Sequence, residues 1–264
     1  MEVLYGIHPV EEAIRSGARP LDHVSVARDR RDERLDRLIE LCRSAGIRVT
    51  HESRDTLTKL ARSEMHQGVL AVVRERKFLA FEDLLATEKD GYRFFLALDG
   101  IEDPHNLGAL LRTAEGAGVD AVILPERRSA PITATVAKTS AGASEHVRVA
   151  RVTNLVRALE QLKQKNVWVL GLDERGSPDY TDFDFKTDCV LVLGREGAGL
   201  HDLVKKTCDH LLRIPMGGMV SSLNVSVAGA VVMYEAVRQR REIAAPTPAT
   251  TLPMPPKKRK GLGS

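Results

Sequence analysis

The sequence predicts an α/β protein, in which a small α/β domain precedes a larger domain built on a parallel sheet. From residue 93 onward, apolar strand runs alternate with helical periodicity five times, the pattern of parallel strands joined by covering helices. Strands such as Cys189-Val-Leu-Val-Leu193 are apolar at every position, as in a sheet covered on both faces. A charged stretch over 76–92 separates this alternation from a first unit over 1–75 and reads as a linker.

In the first unit, Pro9 suits the opening position of a helix running through Val10 to Arg15, which Gly17 closes. His23 to Ala27 reads as a strand. Leu35, Leu38, Ile39 and Cys42 share one helical face, and Gly46 stops that helix. A strand over 47–50, a helix over 55–62 and a strongly apolar strand over 69–73 complete the unit. Within the linker, Phe81, Leu84 and Leu85 make a short amphipathic piece.

The larger domain, 93–243, predicts strands at 94–98, 121–124, 146–149, 167–172, 190–193 and 211–214. Helices are expected near 107–117, 133–140, 154–165, 199–206 and 222–240. The last carries no charge between Pro215 and Tyr234 and therefore reads as buried, with a polar opening that needs partners. Residues 244–264, rich in Pro, Thr and Ala, read as a disordered and dispensable basic tail.

Composition removes several classes of function. No apolar run approaches the roughly 18 residues of a membrane span. The N-terminus has neither the basic start nor the apolar core of a signal peptide, so a cytoplasmic protein is expected. Cys42, Cys189 and Cys208 are odd in number and widely spaced, which predicts reduced core thiols rather than disulfides or zinc. No two histidines have the i, i+4 spacing of a helical metal site, so no metal is expected. The net charge of +3 belongs to the tail: Lys257, Lys258, Arg259 and Lys260 leave 35 of the 39 basic residues to face 36 acidic ones. Overall charge thus neither supports nor excludes a nucleic-acid partner.

Three strand ends in the larger domain are dense in polar or glycine residues, and ligands of parallel sheets lie beyond the carboxyl ends of strands. After 94–98 come Asp99, Glu102, Asp103, His105 and Asn106, with Pro104 breaking the chain and Asn106 expected to cap the next helix. Leu107, Leu110, Leu111 and Ala114 form that helix's apolar stripe, and Arg112 projects off it. After 190–193 comes Gly194-Arg-Glu-Gly-Ala-Gly199, where Glu196 between glycines is an odd choice for a plain turn. These glycines match neither a dinucleotide turn nor a P-loop. After 211–214 come Ser221, Ser222 and Asn224. No G-x-S-x-G elbow is present, which removes the commonest serine hydrolase reading.

In order and spacing, these segments resemble the three motifs of the SpoU-type RNA ribose 2′-O-methyltransferases of the SPOUT superfamily. Asn106 to Arg112 matches the first, Gly194 to Gly199 the second, and Ser221 to Asn224 with the following helix the third. The opening Tyr5-Gly-Ile-His-Pro-Val-Glu-Glu-Ala-Ile14 is similar to the N-terminal, L30e-like RNA-holding domain of bacterial 23S rRNA guanosine 2′-O-methyltransferases. The resemblance implies a C-terminal trefoil knot, a homodimer and S-adenosyl-L-methionine as cofactor. It implies cofactor contacts from Leu193, Gly194, Gly199, Ile214, Leu223 and Ser140, and a catalytic set of Arg112, Asn106, Glu196, Ser222 and Asn224.

Arg112 matches the residue given the base role, although a guanidinium is a permanent donor better suited to orienting phosphate and stabilising an oxyanion. Glu196 would fix either Arg112 or the cofactor loop. The implied partner is RNA, with 23S rRNA first. The alternatives are tRNA, another rRNA site including an antibiotic-resistance methylation, or a silent RNA-binding assembly protein.

Overall fold

A computed structural model describes residues 1–86 and 88–241 of the chain, and the tail expected at 244–264 lies outside them. The first unit is a four-stranded mixed sheet, ordered β1 (Glu2–Tyr5), β4 (Val69–Val73), β2 (Leu21–Ala27), β3 (Arg48–Glu52). Its helices are α1 (Ile7–Ser16), α2 (Glu33–Ser44) and α3 (Arg54–Ala61). Strand β1 has no counterpart in the sequence reading; it forms because β4 pairs antiparallel with it from Val73 back to Leu70. Helix α1 starts three residues before Val10. Pro9 still falls in the first turn, where a missing N–H needs no partner. Gly17 closes the helix in the left-handed conformation.

The segment between the units is not bare. Its amphipathic piece forms α4 (Phe81–Leu85), whose Phe81 and Leu84 are buried against the larger sheet.

That larger sheet has six strands, all parallel, ordered β10 (His210–Leu212), β8 (Trp168–Leu172), β9 (Cys189–Leu193), β5 (Phe94–Leu98), β6 (Ala121–Pro125), β7 (Val149–Val152). Every residue of β5 and β9 is buried. Successive side chains go to opposite faces. Phe94, Leu96 and Leu98 meet helices α5 (Pro104–Gly116) and α9 (Val225–Arg241). Phe95 and Ala97 meet α4, α7 (Leu155–Gln164) and α8 (Asp202–Thr207). Covered faces explain why these strands read as unbroken apolar runs.

The chain leaves β5 toward β6 and β7, then returns to β8 and β9 on the other flank. The order therefore reverses between β5 and β9, and a crevice opens beyond their carboxyl ends.

Three expectations need correction. Strand β7 begins at Val149 rather than His146, because 143–145 turns as a 3-10 helix and the ladder to β6 starts by pairing Val149 with Val122. Strand β10 stops at Leu212, leaving Ile214 in a loop. The short helix expected near 133–140 is present as α6 (Ala134–Thr139). Helix α9 begins at Val225, so Ser221, Ser222 and Asn224 form an exposed loop rather than the start of a buried helix. Among the described residues, no helix is long and apolar enough to cross a membrane.

Candidate active site

Beside this crevice, beyond the carboxyl ends of β8, β9 and β10, lies a cavity of about 390 Å³, the size of a small-molecule site. Three loops wall it: 172–175 after β8, 193–200 after β9, and the stretch from Ile214 to Leu223 after β10. The second loop folds back on itself, with Arg195 and Gly199 exchanging backbone hydrogen bonds of 3.0 and 2.9 Å. Gly194 makes this possible: a Cβ there would lie 2.2 Å from the Gly199 carbonyl carbon. No side chain fits at that point.

One carboxylate ties the three polar segments together. Glu196 accepts a hydrogen bond from Asn106 Nδ2 at 3.0 Å and one from Asn224 Nδ2 at 3.3 Å. Asn224 Nδ2 also donates to Asn106 Oδ1 at 3.0 Å. Asn106 is buried while Glu196 and Asn224 are exposed at the crevice. The two asparagines differ from expectation in one respect. Asp103 caps α5, by accepting from the His105 N–H, and Pro104 takes the first helical position. Asn106 thus lies one turn inside, free to face Glu196. Asn224 instead sits just ahead of α9, accepting from the Ser226 N–H at 2.9 Å.

Of the other residues singled out in the sequence, Leu193, Gly194, Gly199, Ile214, Leu223 and Ser222 line the cavity with Glu196. Ser140 does not reach it. The Ser140 side chain is fully buried at the end of α6, donating to the Ala137 carbonyl and accepting from the Ser144 N–H. Arg112 is exposed on α5, and among the described residues it has no hydrogen-bond or ion-pair partner. Glu196 therefore holds Asn106 and Asn224, not Arg112.

The sequence reading passed over a fourth polar strand end, Asp173-Glu-Arg175 after β8. Asp173 lines the cavity and binds Lys205 Nζ at 2.6 Å. Burial works against its charge, but the Lys205 hydrogen bond and the Arg175 N–H outweigh it and hold the carboxyl below its usual range. It was detectable as a charged triplet, two acids and an arginine, closing an apolar strand. Among the described residues, no group of three or more His, Cys, Asp or Glu could hold a metal ion.

Comparison with known proteins agrees with this geometry. The SpoU rRNA methylase family matches residues 93–234, and a family described as RNA 2′-O ribose methyltransferase substrate binding matches 3–79. The chain is 42% identical over 240 residues to the 23S rRNA (guanosine-2′-O-)-methyltransferase RlmB of Bordetella pertussis, covering 91% of this chain and 98% of that one. It is also similar to the SpoU methyltransferase AviRb of Streptomyces viridochromogenes, whose structure was solved with the cofactor AdoMet. That likeness has a TM-score of 0.76 and 26% identity, covering 91% and 90% of the two chains. A TrmH/SpoU tRNA modifying enzyme of A. aeolicus is 29% identical with a TM-score of 0.54, but matches only 63% of this chain and 87% of its own.

Proposed function

The chain belongs to the SpoU rRNA methylase family, and from that premise we propose that it methylates the ribose 2′-oxygen of a guanosine in 23S rRNA. The observation that carries the reading is the Glu196 hub, which joins the loops after β9 and β10 to the first turn of α5 beside a cofactor-sized cavity beyond the carboxyl ends of the sheet. The choice of 23S rRNA follows the relatives named as 23S rRNA guanosine methyltransferases, which are 42% identical over 91% of the chain; relatives named only as putative tRNA/rRNA methyltransferases are 40% identical over 92%.

S-adenosylmethionine, when bound, supplies a sulfonium-activated methyl group open to attack by oxygen. The cavity suits it: Gly194 leaves backbone where a side chain would stand, and Leu193, Gly199, Ile214 and Leu223 would hold the nucleoside part. Ser140 is left out of this set, because its hydroxyl is committed to Ala137 and Ser144. Glu196 fixes Asn106 and Asn224, and with Ser222 they orient the ribose. The Arg112 guanidinium, a donor with no acceptor, grips RNA phosphate and stabilises charge developing on the 2′-oxygen.

The reading also includes an L30e-like RNA-holding unit over 1–75, a linker over 76–92, a trefoil-knotted methyltransferase domain over 93–243 and a cytoplasmic setting. It includes a homodimer through α9, where Val227 and Tyr234 are exposed in an uncharged stretch beside the exposed Met219 and Val220.

The test incubates the protein with radiolabelled S-adenosylmethionine and either unmethylated 23S rRNA or bulk tRNA, then maps the label. Label at one guanosine ribose of 23S rRNA is expected; label in tRNA alone would sink the substrate assignment. Arg112→Ala should abolish transfer and leave cofactor affinity within a few-fold. Loss of cofactor binding in that variant would remove Arg112 from the RNA side of the site.

A further inference from the structure

Arg195 stands beside the Glu196 hub with nothing to hold. It lines the cavity, yet among the described residues no group bonds or ion-pairs with its guanidinium. Its Nε is buried without a partner, as are Arg76 Nε, Arg151 Nε and Ser129 Oγ, but of these Arg195 alone lines the cavity, where a ligand, ion or water can satisfy it. The direction of the side chain is fixed by Gly100, the second residue after β5. A Cβ at Gly100 would lie 2.7 Å from Arg195 Cγ and 2.9 Å from Cδ, so the stem rests flat across the end of that strand. It therefore leans toward β5, away from β8 and β10, whose loops form the opposite wall of the cavity.

The acids near this path do not neutralise it. Both carboxylate oxygens of Asp99 are taken by His201, one by its N–H at 2.7 Å and the other by Nδ1 at 2.8 Å. Asp103 accepts from the His105 N–H, and neither it nor Glu102 lies within ion-pair reach of Arg195. Beyond Gly100, the Ile101 carbonyl accepts from the Ala130 N–H at 2.8 Å, which docks the loop after β6 against the loop after β5. That loop carries Arg127 and Arg128, both exposed and, among the described residues, without ion-pair partners. Three arginines thus follow the carboxyl ends of β9 and β6, with the β5 loop between them.

We propose that Arg195, continued by Arg127 and Arg128, forms a phosphate-binding track that leads the RNA backbone across the sheet edge to the cavity mouth. The proposal rests on the RNA methyltransferase reading above. A guanidinium fork suits phosphate oxygens, and the lean of Arg195 away from the cofactor's far wall favours RNA phosphate over the cofactor's own carboxylate.

The experiment uses the full chain, a 23S rRNA transcript and S-adenosylmethionine, with R195M, R195K and an R127A/R128A double variant. Methionine keeps the stem over Gly100 and removes the charge. R195M is expected to raise the KM for RNA about tenfold with cofactor affinity within twofold, and to reduce the slope of log affinity against log salt by about one. R195K should recover part of the affinity, and the double variant should lower the slope by about two. If R195M weakens cofactor binding instead, Arg195 serves the cofactor carboxylate and the track is wrong. If R195M matches wild type in KM and slope, the proposal falls while the methyltransferase reading stands. A wild-type chain that leaves rRNA unlabelled overturns both.

Discussion

Glu145 and Glu196 each gather partners from distant parts of the chain, but one is sealed and the other open. Glu145 lies in the 3-10 turn after α6, with its side chain fully buried. It receives Arg19 through Nε and Nη2, both at 2.9 Å, and Arg76 at 2.8 Å. Arg19 also reaches Glu2. Two guanidiniums thus face two carboxylates at the seam between the units, with His146 bonded to Glu12 at 2.7 Å alongside. Glu196 is exposed, and its partners are two neutral amides. A buried charge needs full neutralisation to be tolerated, whereas an exposed one can keep bonding capacity for a ligand. The first arrangement holds units together, and the second holds a site ready.

Glu145→Ala should make the sharpest contrast. It leaves two arginines buried against a single carboxylate, and unfolding in urea should show a loss of about 3–5 kcal/mol. A loss below about 1 kcal/mol would mean that the seam's apolar contacts, not its charges, carry the joint. Glu196→Gln should behave in the opposite way. Stability should stay within about 0.5 kcal/mol, as for exposed positions. Methyl transfer should fall on the order of a hundredfold, because the amide turns one of the two oxygens that accept from Asn106 and Asn224 into a donor and the hub loses its register. Equal transfer rates in wild type and variant would reduce the hub to a loop tie.

The smallest effect concerns the thiols. Burial pushes Cys42 up to about 11, and Cys189 and Cys208 up to about 12. All three should resist iodoacetamide at pH 8 in the folded protein and react only after denaturation, as read by intact mass. Rapid labelling of the native chain would show that one of them opens to solvent.

Strands β4 and β5 were legible at their true bounds, because five buried positions in β5 and four of five in β4 make unbroken apolar runs. Strand β7 was misplaced because His146 to Val149 alternates polar and apolar residues as a strand would, and only the ladder to β6 decides where pairing begins. Strand β1 was invisible because its partner β4 lies more than sixty residues away. The polar residues of the site stood out against apolar strands, so their membership of a site was readable. Their connections were not. Asn106 looked like a cap until Pro104 and Asp103 took the first turn, and the Arg19–Glu145 pair spans 126 positions that no local pattern joins.

The Asn106–Asn224 bond closes 118 residues of chain. During synthesis, β5 and α5 emerge well before the loop that completes the hub, and α9 must follow to anchor it. The larger domain can therefore collapse while the chain is still growing, but its site stays incomplete until β10 and α9 are made. The hub thus forms in one late step of that domain's synthesis rather than accumulating along it.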